Sequence, residues 1–191
     1  FNDSSLVGAK ICLVVPGSVF VPWDNKQPVV PYKTVWENSL EGVGSVIPAA
    51  RDAGVKIGIE NVWNGFVTDP MSLKSFIDEF KSRYVGSYFD AGNCIINGFP
   101  QHWIEILGKR ILAVHVKNFK RKDCAGGLHC FGDNLMEGDL DFKAIIKALL
   151  KIRYSGPITV EMVPFSREPN LVLPDMPLAR ETAKKMLKLF R

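Results

Sequence analysis

Residues 86–115, GSYFDAGNCIINGFPQHWIEILGKRILAVH, decide the fold. Gly86–Asp90 is a short run closed by a carboxylate. Pro100–Leu107 has helical apolar spacing behind a proline, and Gly108 stops it. Ile111–Val116 is a second β-branched run, with His115 near its end. A strand, a helix and a second strand of these lengths form one crossover unit, in which the two strands lie parallel.

The same alternation continues in both directions. Upstream, Lys10–Val15 and Lys56–Glu60 read as strands. Tyr32–Ala53 reads as a helix with Gly42, Gly44 and Pro48 inside, kinked or irregular at its start, and with Gly54 at its C-terminal end. Ser72–Lys81 is a second helix, behind the start signal Asp69-Pro70. Downstream, a polar, glycine-rich excursion reaches Gly138. An amphipathic helix follows over Asp141–Ile152, with Phe142, Ile145, Ile146, Leu149 and Leu150 on one face. Ile158–Met162 is a fifth strand and Leu178–Phe190 the last helix. The reading is an α/β chain forming a single domain over residues 1–191, with a parallel sheet of about five β/α units.

Four of the strands end in chemically able side chains. The runs KIGIE, GSYFD, ILAVH and PITVE close on Glu60, Asp90, His115 and Glu161, each about one strand–helix repeat after the last. In a (β/α)8 barrel the C-terminal ends of the strands converge on one face, so the four would point into one mouth. Any one of them alone is better explained by a loop cap or a lysine partner. Four in succession point to a metal site, and a mostly oxygen donor set without cysteine suits Mn²⁺, Mg²⁺ or Co²⁺ more than structural zinc.

Composition narrows the classes. The chain has 191 residues, 47% of them hydrophobic, enough for a proper core. No stretch of 18 apolar residues suggests a membrane span. The net charge of +4 is spread along the chain, so neither nucleic acid nor a membrane surface is an expected partner. Lys184, Lys185 and Lys188 read as the solvated face of the last helix. Cys12 and Cys94 read as small hydrophobes. Cys124 and Cys130 bracket His129 without a zinc spacing, and a reducing, cytoplasmic setting is expected.

The motifs VVPG at Val14–Gly17, IGIENVW at Ile57–Trp63, YFDAGN at Tyr88–Asn93, GKRILAVHVK at Gly108–Lys117, EGDLDF at Glu137–Phe142 and GPITVEM at Gly156–Met162 span nearly the whole chain. Together they resemble the sugar isomerase/epimerase superfamily with xylose isomerase-like TIM barrels, in particular the ketose and ketose-phosphate 3-epimerases. The resemblance implies that Lys10–Val15 is barrel strand four and that strands one to three are absent. That agrees with a first residue, Phe1, that is not methionine, and with a length below the usual barrel of about 250 residues.

The resemblance further implies that Glu60, Asp90, His115 and Glu161 bind one divalent metal, Mn²⁺ foremost, with Mg²⁺, Co²⁺ or Zn²⁺ as alternatives. Glu60 and Glu161 would be the catalytic pair, moving a proton on opposite faces of an enediolate. The substrate would be a sugar or sugar phosphate. Arg121, Asn93, Trp63 and Lys117 are candidate substrate contacts, although Arg121 equally fits a solvated cluster with Lys117, Lys120 and Lys122, a cluster that would also suit a phosphate. Asn93 stands where free-ketose epimerases carry histidine, or else caps the next helix. Phe66 stands where they carry a further glutamate that supports the site from behind the metal ligands. Trp23, Trp63 and Phe66 would line an apolar wall, or simply pack in the core, and His102 beside Trp103 reads as structural.

Competing readings keep the barrel and change the chemistry: an aldose–ketose isomerase, or an inosose dehydratase or isomerase. An endonuclease IV-like DNA repair enzyme needs more histidine than His102, His115 and His129 supply. A non-enzymatic reading is a truncated metal-binding protein without turnover. An open five-stranded sheet would leave two hydrophobic edges, so a homo-oligomer is expected.

Overall fold

The computed structural model describes residues 1–22, 24–117, 119–121, 135–136, 138–161, 166–167, 170–171 and 175–190. Five strands, β1 (Ile11–Val14), β2 (Lys56–Glu60), β3 (Val85–Asp90), β4 (Ile111–Val116) and β5 (Ile158–Val160), form one parallel sheet. Their order in the sheet is their order in the chain. Right-handed crossovers in such an order put every connecting helix on the same side. A doubly wound sheet would need a reversal. The strands therefore curl into about half of a (β/α)8 barrel.

A short α1 (Asn2–Leu6) precedes β1, and α2 (Tyr32–Asp52) follows it. Then α3 (Pro70–Glu79), α4 (Pro100–Leu107) and α5 (Phe142–Lys151) alternate with the strands, and α6 (Met176–Leu189) ends the chain. Beyond β5, β6 (Ser166–Arg167) pairs antiparallel with β7 (Asn170–Leu171).

The helix ends follow local chemistry. Asp69 caps α3 by accepting from the N–H groups of Met71 and Ser72 at 2.9 and 3.0 Å. With Pro70 preorganised in the first turn, α3 begins two residues before the expected Ser72. Pro48 leaves α2 a single helix. It faces solvent, while Val35, Ser39, Val43 and Ala50 form the buried stripe. Gly54 follows α2 with φ +67°, a left-handed turn that glycine takes without strain.

The core lies between sheet and helices. Ile57, Ile59, Phe89, Val114 and Val116 point outward from the strands against Leu73, Phe76, Trp103, Ile104, Leu107 and Ile145, all buried. Strand side chains alternate, so Gly58 and Glu60, and Tyr88 and Asp90, face the barrel interior. The register staggers the strands. Glu60 pairs with Tyr88, two residues before Asp90. Asp90 pairs directly with His115, and His115 pairs with Thr159, two residues before Glu161. This is the shear of a tilted barrel, and it brings strand ends to a common height. A register irregularity between Ser87 and Tyr88 lets β4 carry Leu112 as an extra residue, which re-aims the strand before His115.

Candidate metal centre

Glu60 ends β2, Asp90 ends β3, His115 is the penultimate residue of β4, and Glu161 follows β5. One ligand atom from each lies within 4.8 Å of all the others. His115 Nδ1 is 3.0 Å from Glu60 Oε1, 3.8 Å from Asp90 Oδ2 and 3.9 Å from Glu161 Oε2. Metal–ligand bonds of about 2.0–2.3 Å would span these separations with small side-chain movements. Asp90 is fully buried and Glu60 nearly so, whereas the Glu161 side chain keeps 41% of its surface in solvent. The site is thus walled on one side and open on the other.

A polar frame holds Asp90 in place. Asn61 Nδ2 donates to the Asp90 carbonyl at 2.9 Å, and the Asp90 N–H donates to Asn61 Oδ1 at 2.9 Å. Asp90 Oδ1 accepts from the Asn93 N–H at 2.7 Å, and Asn93 Nδ2 donates to the Asn61 carbonyl at 2.8 Å. Trp63 Nε1 donates to the Asn93 carbonyl at 2.6 Å. On the other side of the site, the His115 ring leans on Tyr88, with centroids 4.4 Å apart. Gly58 leaves room for that tyrosine, since a Cβ there would sit 3.0 Å from the Tyr88 Cβ.

The electrostatics suit a cation. Burial is the largest influence on Asp90 and raises its carboxyl to about 6, against the pull of the Lys117 charge. Burial works against a protonated His115, but the Glu60 hydrogen bond and the charges of Asp90, Glu60 and Glu161 outweigh it and raise the imidazole. Burial would raise Glu161, yet the Lys117 charge and hydrogen bond hold it below its ordinary value. Lys117 is itself buried. Its ammonium hydrogen-bonds Glu161 and forms an ion pair with Asp90 Oδ2 at 2.9 Å. Three carboxylates and one imidazole facing one another within 4.8 Å carry more negative charge than the single Lys117 ammonium offsets, a position that a cation would satisfy. The donor set fits a divalent metal.

The remaining candidates separate. Lys117 joins the cluster, while Asn93 belongs to the frame around Asp90. Trp63 packs edge-on against Phe119, with centroids 5.3 Å apart. Phe66 is fully buried among Tyr32, Trp36 and Phe76. Arg121 donates from Nε to the Ile95 carbonyl at 2.8 Å and from Nη2 to the Gly98 carbonyl at 3.1 Å. It lines a groove of about 650 Å³ that none of the four cluster residues lines. His102 sits in α4 against the Phe99 ring. Trp23, Lys122, Cys124, His129 and Cys130 lie outside the described residues. Sequence reasoning did not single out Asn61. Its only signal is a bare amide directly after a strand-ending glutamate.

The family model of xylose isomerase-like TIM barrels matches residues 4–189. Two curated relatives are similar in sequence. The uncharacterised protein MJ1311 of Methanocaldococcus jannaschii is 27% identical over 80% of this chain and 50% of its own length. The inosose dehydratase of Clostridium perfringens is 24% identical over 81% of this chain and 58% of its own length. Among solved structures, a D-psicose 3-epimerase crystallised in the presence of D-fructose superposes with TM-score 0.76 at 16% identity, over 97% of this chain and 65% of that one. The IOLI protein with a bound zinc atom gives TM-score 0.75 at 18% identity, over 98% and 65%. At these identities the structures share the fold. The chain spans about half the length of the curated relatives it matches.

Proposed function

The chain belongs to the xylose isomerase-like TIM-barrel family, and from that premise we propose that it carries the metal centre of a sugar or sugar-phosphate epimerase or isomerase. The observation that carries this reading is the convergence of Glu60, Asp90, His115 and Glu161 within 4.8 Å at successive strand ends. These four would hold one divalent ion, Mn²⁺ foremost. The zinc of the IOLI protein makes Zn²⁺ an alternative. When bound, the ion would polarise the substrate carbonyl and stabilise negative charge on an enediolate.

The protein's own groups would move the proton. Glu60 on β2 and Glu161 after β5 approach from different strands, so one would take a proton from carbon and the other return one. Their partners differ, as Glu60 meets His115 and Glu161 meets Lys117. Removal and return on opposite faces inverts a carbon centre, whereas transfer between neighbouring carbons interconverts ketose and aldose. Trp63 would offer an apolar edge to the C–H face of a sugar. The ketose-epimerase fold neighbours support this reading. A second reading, dehydration of an inosose-like ketone, is favoured by the similarity to the Clostridium perfringens enzyme. It starts with the same proton abstraction and then expels a hydroxyl. We further propose a cytoplasmic homo-oligomer. No described helix is long and apolar enough to cross a membrane.

Deuterium wash-in tests the proposal. The 191-residue chain is incubated in D2O with Mn²⁺, Mg²⁺, Co²⁺ or Zn²⁺, or with chelator, and with a panel of ketoses, their 5- and 6-phosphates and inososes. Metal-dependent uptake of one deuterium on carbon supports the epimerase or isomerase, and loss of water with the exchange supports the dehydratase. No exchange across the panel by metal-loaded protein would overturn the activity.

A further inference from the structure

Lys117 is the one candidate that joins the metal cluster without being suited to bind a metal. It follows β4 two residues after His115, so strand alternation turns it to the same interior face. It is 5% exposed, its ammonium hydrogen-bonds Glu161, and it lies 2.9 Å from Asp90 Oδ2. A buried lysine is costly unless paired, and here both partners are proposed ligands of the metal. The chain makes room for it: a Cβ on Gly92, two residues after Asp90, would collide with the Lys117 stem.

Charge counting gives the lysine a purpose. Glu60, Asp90 and Glu161 contribute three negative charges, and His115 is neutral when it ligates. A dication alone would leave the buried site with a charge of −1. With the ammonium in place the described cluster contributes −2, which one dication cancels. We propose that Lys117 is the fixed counter-cation that matches this site to divalent rather than trivalent ions, acting through Asp90 and Glu161 rather than on the substrate. This rests on the metal-centre reading above and deepens it.

Removing the lysine charge makes the site −3, which favours a trication. Calorimetric titration with Mn²⁺ and Tb³⁺ gives the ratio of the two affinities for the native chain, Lys117→Gln and Lys117→Arg. Glutamine can still donate a hydrogen bond to Glu161 but carries no charge. The Tb³⁺/Mn²⁺ affinity ratio is expected to rise by on the order of tenfold or more in Lys117→Gln, and to stay near the native value in Lys117→Arg. The double variant Lys117→Gln/Glu161→Gln returns the charge of the described cluster to −2 and should return the ratio toward native even though a ligand is lost. It keeps the test open if Lys117→Gln alone does not fold. An unchanged ratio in Lys117→Gln, or a ratio that stays high in the double variant, overturns the proposal. Equal weakening of both ions would make Lys117 a structural prop for Glu161 and would overturn it too. If the native chain bound neither ion, the metal-centre reading itself would fall, an outcome distinct from the others.

Discussion

Asn61 and Asp90 exchange two hydrogen bonds across neighbouring strands, amide to carbonyl and N–H to amide oxygen, both at 2.9 Å. The last backbone pair between β2 and β3 is Glu60 with Tyr88, so the Asn61 side chain extends the ladder one step beyond the strands. That step fixes the backbone from which the Asp90 carboxylate projects. Asn61→Ala would leave two buried backbone groups unpartnered. A loss of about 2 kcal/mol or more in unfolding free energy is expected. Metal affinity should fall by about 10–100-fold, as when other groups that orient ligands are removed. Denaturant unfolding and metal titration check the two numbers. Native values for both would show that the ladder step is dispensable.

The metal-free and metal-loaded forms should respond to pH in opposite directions. Burial raises Asp90 from 3.8 to about 6, so its contribution to stability is present below 3.8 and is lost as pH rises through about 6. For His115, burial opposes protonation, but Glu60 and the neighbouring carboxylates prevail and raise it above 6.5. Its contribution is present below 6.5 and is lost as pH rises through the raised value. The chelated protein should therefore lose thermal stability as pH rises from about 4.5, where the opposing Glu161 contribution is complete, through about 6 for Asp90, and further above 6.5 for His115. The slope through the Asp90 range should be shallower in Asp90→Asn. Metal needs both groups deprotonated, so its affinity should rise over the same range with release of protons. Thermal melts with chelator and with saturating Mn²⁺ would show the two trends; parallel slopes would contradict the metal site.

Glu60→Gln and Glu161→Gln remove one proposed proton carrier each. Both should slow deuterium exchange by about 10²–10⁴-fold at saturating metal. Glu161 is open to solvent where Glu60 is buried, so Glu161→Gln should disturb stability less. Full exchange in either variant would assign the proton to another group.

Arg121 holds the loop between β3 and α4 through the Ile95 and Gly98 carbonyls, with its guanidinium 5.3 Å from the Phe99 ring centroid. Arg121→Ala should cost about 1–3 kcal/mol of stability and leave metal affinity unchanged. A raised KM at native stability would instead make it a substrate contact.

The strands and the four cluster residues were legible in the sequence because their signals are local. A β-branched run, the charged residue that closes it and the helix that follows all lie within about 30 residues. A boundary moved where a cap decides it: α6 starts at Met176 rather than Leu178, behind the Asp175 cap. The polar, five-residue α1 buries no side chain and gave no periodicity to read.

Phe66 shows where local reading stops. Its neighbourhood in the sequence suggests a place beside the site, but α2 and α3 enclose it with Tyr32, Trp36 and Phe76. Arg121 sits in a basic cluster in the sequence, and the fold spends it on loop carbonyls. The sequence by itself determined the β/α alternation and the chemistry placed at each strand end, because a few adjacent residues encode both. Tertiary structure alone decided that Asn61 would brace Asp90, that Lys117 would lie between Asp90 and Glu161, and that four strand ends would meet at one height. Those outcomes depend on the shear of the strands and on contacts between residues 25 or more positions apart, which no local pattern specifies.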